Sequence, residues 1–76
     1  MAGNTEEAVL NWEKSLKIDP NYALSAYNLA LVYLEKGDKS RALEYCQTYL
    51  TIKGNTLSIT EREDIERIIK ECKKLS

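Results

Sequence analysis

The chain has 76 residues, 43% of them apolar and 30% charged, with a formal net charge of −1 and no histidine. A chain of this size is one domain at most and buries only about 60% of its unfolded surface, which leaves little room for a deep enzyme cavity. The near-neutral charge gives no electrostatic case for nucleic acid or an anionic membrane, and no apolar run approaches the length needed to span a bilayer. Charge is uneven: residues 1–38 carry three Lys against six acids (−3), and residues 39–76 carry eight Lys/Arg against six acids (+2).

The first predicted helix opens near Asn4 or Thr5, either of which can cap it, with Glu6 and Glu7 in the first turn. Ala8, Val9, Trp12 and Leu16, with Ser15 beside them, recur at three- and four-residue spacing on one face. Asp19-Pro20-Asn21 ends this helix, because proline disfavours helical geometry in the residue before it. A second helix is predicted over 22–36. Its apolar residues Ala23, Ala26, Tyr27, Leu29, Ala30, Leu31, Val32, Tyr33 and Leu34 wrap most of the way round, so it is buried on several sides or keeps an exposed apolar face.

Gly37-Asp38 reads as a stop followed by a start, with Gly taking left-handed geometry and Asp capping the next helix. The third helix is predicted over 39–52, with Ala42, Leu43, Cys46, Tyr49 and Leu50 repeating the rhythm of the first. Lys53-Gly54-Asn55 ends it and residues 56–59 form a connector. The fourth helix starts at Thr60-Glu61-Arg62-Glu63, a capping-box pattern. It carries the stripe Ile65, Ile68, Ile69, Cys72 and Leu75, the i,i+4 pairs Glu63–Arg67 and Glu66–Lys70, and Lys70, Lys73 and Lys74 at its end. The fold class is all-α, with four helices.

Across these elements the chain repeats at 34 residues: Gly3 falls on Gly37, Ala8 on Ala42, Trp12 on Cys46, Leu16 on Leu50 and Ile18 on Ile52. A fixed period of this size marks stacked helix pairs, none of which buries its apolar face alone. The middle unit reads Ala26-x2-Leu29-Ala30-x2-Tyr33, then Gly37-Asp38, then Ala42-x3-Cys46, preceded by Ala8-x3-Trp12 and Pro20. In these residues the chain resembles the tetratricopeptide repeat family over about 4–55. Ala8, Ala30 and Ala42 are small where helix axes approach to roughly 8–10 Å, and Trp12, Leu29 and Tyr33 fill the adjoining gaps.

The resemblance implies a single domain spanning 1–76. Residues 4–19 would be the second helix of a preceding repeat, 22–53 one full repeat and 60–75 a C-terminal capping helix. Four positions depart from the family pattern. Ala26 stands where Trp is frequent, Cys46 where an aromatic is common, Tyr49 where a small residue is usual, and Gly54 in place of the closing Pro. A Tyr at position 49 is expected to obstruct a next helix packed in the regular way. The first helix matches the second member of a pair, so its partner comes from a longer array or from another copy of the chain.

By the same resemblance, the first helix of each pair lines the concave face, which assigns Leu24, Tyr27, Asn28, Leu31, Leu34 and Glu35 to partner binding. The family's chaperone-tail binders clamp a terminal carboxylate with Lys and Asn; Tyr27 and Leu31 occupy those positions here, so a carboxylate clamp is rejected. An apolar row of Tyr27, Leu31 and Leu34 suits an amphipathic helix or apolar peptide. The alternative is that the row packs on a neighbouring helix, including the chain's own fourth.

The expected function is a non-enzymatic interaction module for a protein or peptide partner; the alternative is self-assembly into a homo-oligomer. No nucleophile-plus-base arrangement, phosphate loop or CxxC spacing is present, so no enzyme activity, cofactor or metal is expected. Cys46 and Cys72 read as buried structural thiols; a disulfide between them requires the fourth helix to pack on the third. No secretory-signal or transit-peptide pattern is seen in these residues, and a cytoplasmic location without nucleic-acid binding or membrane insertion is the expectation.

Overall fold

A computed structural model describes residues 2–74, with side chains from residue 6 onward. The described residues form α1 (Ala2–Ile18), α2 (Ala23–Glu35), α3 (Lys39–Lys53), a 3-10 turn (Gly54–Thr56) and α4 (Ile59–Lys73), with no strand among them. The molecule measures 35 × 35 × 17 Å, about two helix diameters in its thin direction.

Helix boundaries follow from local chemistry. The backbone is already helical at Ala2, so Asn4 and Thr5 lie inside α1 and not at its N-cap. A cap preference of about 1 kcal/mol does not stop a helix that is free to extend. At the other end, Asn21 N–H donates to Asp19 Oδ1 at 3.1 Å and Tyr22 N–H to the Asp19 carbonyl at 3.0 Å, which turns the chain around Pro20. The α2–α3 junction is tighter. Gly37, at φ 83°, lets its own N–H reach the Leu34 carbonyl (3.1 Å) and the Asp38 N–H reach the Tyr33 carbonyl (2.9 Å). These two bonds form a Schellman closure. Asp38 then caps α3 by accepting from Arg41 N–H at 3.2 Å.

The start of α4 corrects the sequence reading. Ser58, not Thr60, is the N-cap: its hydroxyl accepts from Glu61 N–H at 3.1 Å, and Glu61 Oε1 accepts from Ser58 N–H at 3.0 Å. Glu61 Oε2 also pairs with Lys53 Nζ at 3.0 Å, tying the end of α3 to the start of α4. This second partner favours the earlier register. The pair foreseen between Glu63 and Arg67 is replaced by Arg67–Asp64 at 3.9 Å. Leu75, expected to continue the α4 stripe, lies outside the described residues.

Helix α2 is central, which explains its apolar circumference: it packs most extensively on α3 and also touches α1 and α4. One cluster joins Ala26, Ala30, Cys46, Tyr49, Ile65 and Ile68, bringing α2, α3 and α4 together. A second joins Val9, Leu29, Tyr33 and Ala42, bringing α1, α2 and α3 together, with Trp12 and Leu16 against it. Ala26, Ala30 and Ala42 are fully buried, as close helix approach requires. Tyr49 does not keep α4 away; it is buried, with its ring 5.7 Å from that of Tyr27.

Candidate functional site

The residues expected to bind a partner lie along α2 and fall into three environments. Tyr27, Leu31 and Leu34 are half-buried and rest against the α2–α3–α4 core; Leu24 is 55% exposed; Asn28 is half-buried and Glu35 exposed. Two adjoining cavities open between α2 and α4. A 310 Å³ cavity is lined by Ala23, Leu24 and Tyr27 of α2, Tyr49 and Lys53 of α3, and Glu61 and Asp64 of α4. A 180 Å³ cavity is lined by Tyr27, Leu31 and Leu34 of α2 and by Asp64, Arg67, Ile68 and Glu71 of α4. Tyr27 and Asp64 belong to both, so the two form one groove. Asn28 and Glu35 line neither cavity.

The order of lining residues fixes the direction of the helices. Early α2 residues face early α4 residues, and Leu34 faces Glu71, so α4 runs alongside α2 in the same direction. It therefore stands where the first helix of a following pair would stand. It covers part of the α2 row and supplies the opposite wall of the groove. The groove consequently has an apolar side from α2 and a charged side from α4. Residue spacing on α2 alone could not reveal the α4 side, although Tyr49, flagged for its bulk, marks where the two walls meet.

The charges on the α4 side are partnered. Lys53 and Glu61 pair at 3.0 Å, Asp64 and Arg67 at 3.9 Å, and Glu71 and Lys74 at 3.0 Å. Glu61 is held below the usual glutamate range, first by the Ser58 N–H it accepts and then by Lys53. The Tyr49 hydroxyl is pushed up, mainly by burial.

A third feature was not foreseen. Glu13 of α1 accepts hydrogen bonds from Tyr33 Oη of α2 at 3.0 Å and from Tyr45 Oη of α3 at 3.2 Å. The two rings stack at 5.7 Å and 6°, and the Arg41 guanidinium stands over Tyr33 at 5.6 Å. One carboxylate thus ties α1 to both members of the next helix pair. Burial, the Glu13 charge and its hydrogen bond push Tyr45 up to about 12, and burial followed by the Glu13 bond raises Tyr33. The sequence held a signal for this: Glu13 stands in register with Val9 and Leu16, an acid on an apolar stripe.

A larger cavity, 810 Å³, lies beside this clasp between α1 and α3. Glu7, Leu10, Asn11, Glu13, Lys14, Leu16, Lys17 and Tyr45 line it. Much of its border is long charged side chains, and its one shared acceptor, Glu13, is already engaged by two tyrosines.

Comparison with known families covers α1, α2 and α3. A TPR repeat model matches residues 2–37 and a tetratricopeptide repeat model matches residues 23–56. The chain belongs to the tetratricopeptide repeat family. The uncharacterized protein ycf37 of Pyropia yezoensis is 35% identical to it over 63 residues, which is 83% of this chain and 35% of that relative. The chain thus spans about a third of the relative's length. No solved structure matches. Tetratricopeptide repeats generally mediate protein–protein interaction and are typically non-enzymatic scaffolds. No described helix is long and apolar enough to cross a membrane.

Proposed function

We propose that the chain is a protein-interaction module that receives an apolar peptide or an amphipathic helix in the groove between α2 and α4. In this reading α1 is the second helix of one repeat, α2 and α3 form a full repeat, and α4 is the cap that walls the groove. Tyr27, Leu31 and Leu34 form the floor, and Leu24 is an exposed anchor at one end. The carrying observation is the continuity of the two cavities through Tyr27, which gives an apolar row on one side and fixed ion pairs on the other. Helix-in-groove recognition uses such a row, read at spacings of three and four residues. The α1–α3 cavity is larger, but its lysine and glutamate heads have solvent to satisfy them, whereas the α2 row does not.

Tyr27 and Leu31 also pack on the core, so alanine at these positions changes folding as well as binding. Leu24→Lys is the cleaner probe. Labelled amphipathic helical peptides titrated against the protein should perturb the amide resonances of Leu24, Tyr27, Leu31 and Leu34. Leu24→Lys should weaken that binding roughly tenfold, as loss of an apolar anchor does, with an unchanged melting temperature. Binding that perturbs Leu10 and Tyr45 instead, or that ignores Leu24→Lys, would remove this groove as the site.

A second reading is association with another copy of the chain. It rests on Leu10 and Ile18 of α1, which are 61% and 85% exposed. Light scattering over a hundredfold concentration range tests it, and a constant monomer mass contradicts it.

A further inference from the structure

Cys46 and Cys72 stand 26 residues apart in sequence and join the same core cluster in the fold. Cys46 of α3 has no exposed surface and belongs to the α2–α3–α4 cluster; Cys72, on the last turn of α4, packs against that same cluster and is only half-buried. Both are free thiols, and they sit on α3 and α4, two helices packed against each other around that cluster. Neither has a place in the proposed groove. We propose that Cys46 and Cys72 are a disulfide-forming pair, closed by a small-molecule disulfide such as oxidised glutathione, and that closure pins the C-terminal end of α4 to α3.

The surroundings assign the order of events. Cys46 is pushed up to about 12, first by burial and then by its neighbour, so it stays a thiol. Burial also raises Cys72, with Glu71 adding to it, but the Lys39 charge and the neighbouring Cys46 act to lower it. The Lys39 ammonium is held at this end of α4 by donating to the Lys74 carbonyl at 3.1 Å. Cys72 is therefore the thiol that ionises first and the one that solvent reaches.

Its thiolate attacks one sulfur of the small disulfide, forming a mixed disulfide and releasing one small thiol. Cys46 then loses its proton to solvent, attacks the Cys72 sulfur, and expels the second small thiol. Two protein thiols are oxidised by two electrons, one small disulfide is reduced to two thiols, and nothing else is consumed. Both raised thiols make closure slow, in keeping with a pair that responds to a sustained shift in poise.

Intact-mass spectrometry of the folded protein in oxidised glutathione tests this. The expected product is a monomer lighter by two hydrogens with both thiols lost to maleimide labelling. Its melting temperature should be raised by roughly 10 °C or more, because the crosslink closes a loop of about 27 residues. Amide exchange in the last turns of α4 should slow at least tenfold. Cys46→Ala should stop at a stable glutathione adduct on Cys72, and Cys72→Ser should leave Cys46 unreacted until denaturant is added. The proposal is overturned by a lasting adduct in the unaltered chain, by disulfide-linked dimers, by equal reactivity of Cys46 in Cys72→Ser, or by an oxidised monomer that melts where the reduced one does.

Discussion

Replacing Ile65 with alanine tests whether α4 is part of the core or a loosely attached tail. Ile65 is fully buried among Ala26, Ala30, Cys46, Tyr49 and Ile68, so its side chain joins α4 to both α2 and α3. The substitution removes three carbons, a transfer loss of about 2.4 kcal/mol at roughly 0.8 kcal/mol each. Incomplete collapse of the vacated space adds up to about 2 kcal/mol. The expected loss is therefore about 2.5–4 kcal/mol. A chain of this length has a total stability of about 4–11 kcal/mol, so the variant should melt at least 10 °C lower. Urea unfolding followed by helical circular dichroism reads the loss, with Ile65→Val (about 1 kcal/mol) as the graded control. Ile59→Ala, at a side chain 78% exposed on the same helix, should change stability by less than about 0.5 kcal/mol. A loss below about 1 kcal/mol for Ile65→Ala, or a transition that splits in two, would refute the view that α4 folds as one unit with α2 and α3.

Two further outcomes follow from the junctions. Gly37→Ala should cost about 1 kcal/mol by thermal unfolding; a Cβ there meets nothing within 4 Å, so the whole cost comes from the positive φ of 83°. Glu61 is held below its unfolded value, so its contribution is complete above the ordinary glutamate range and is lost as pH falls through the lowered folded value. Unfolding curves of Glu61→Gln and the unaltered chain should accordingly differ most near pH 7 and converge toward pH 2; a constant gap across that range would contradict the assigned cause.

The stacked-helix architecture was legible because its signals are local and redundant. The 34-residue period, the small residues at Ala8, Ala30 and Ala42, and the Gly37-Asp38 junction each point to it, and each rests on backbone geometry or close approach. The errors arose where two local solutions were equally good. Ser58 and Thr60 are both hydroxyl residues with a glutamate three positions later. Only the first places its glutamate against Lys53, across the turn, at 3.0 Å. Arg67 likewise had acids at three- and four-residue spacing and took Asp64. The Glu13 clasp is harder still, because its donors lie 20 and 32 residues away on two other helices. An acid on an apolar stripe announces that a partner exists without naming it.

The groove was half legible for the same reason. An α2 row can be read from spacing, but whether it is a floor or a buried seam depends on how far α4 lies across it. Exposure answers this residue by residue. Ala26 and Ala30 are sealed, Tyr27, Leu31 and Leu34 are half-covered, and Leu24 stands 55% clear. Cover therefore fades toward the start of α2. The 3-10 turn and the Lys53–Glu61 pair set where α4 begins, and the contacts of Cys72 and Lys74 near α3 set where it ends. The inner edge of the row is core, and its outer edge is surface. A helix that packed one turn closer would bury Leu24 and close the 310 Å³ cavity, so the width of the groove is set by the anchors of α4 rather than by the α2 residues that line it.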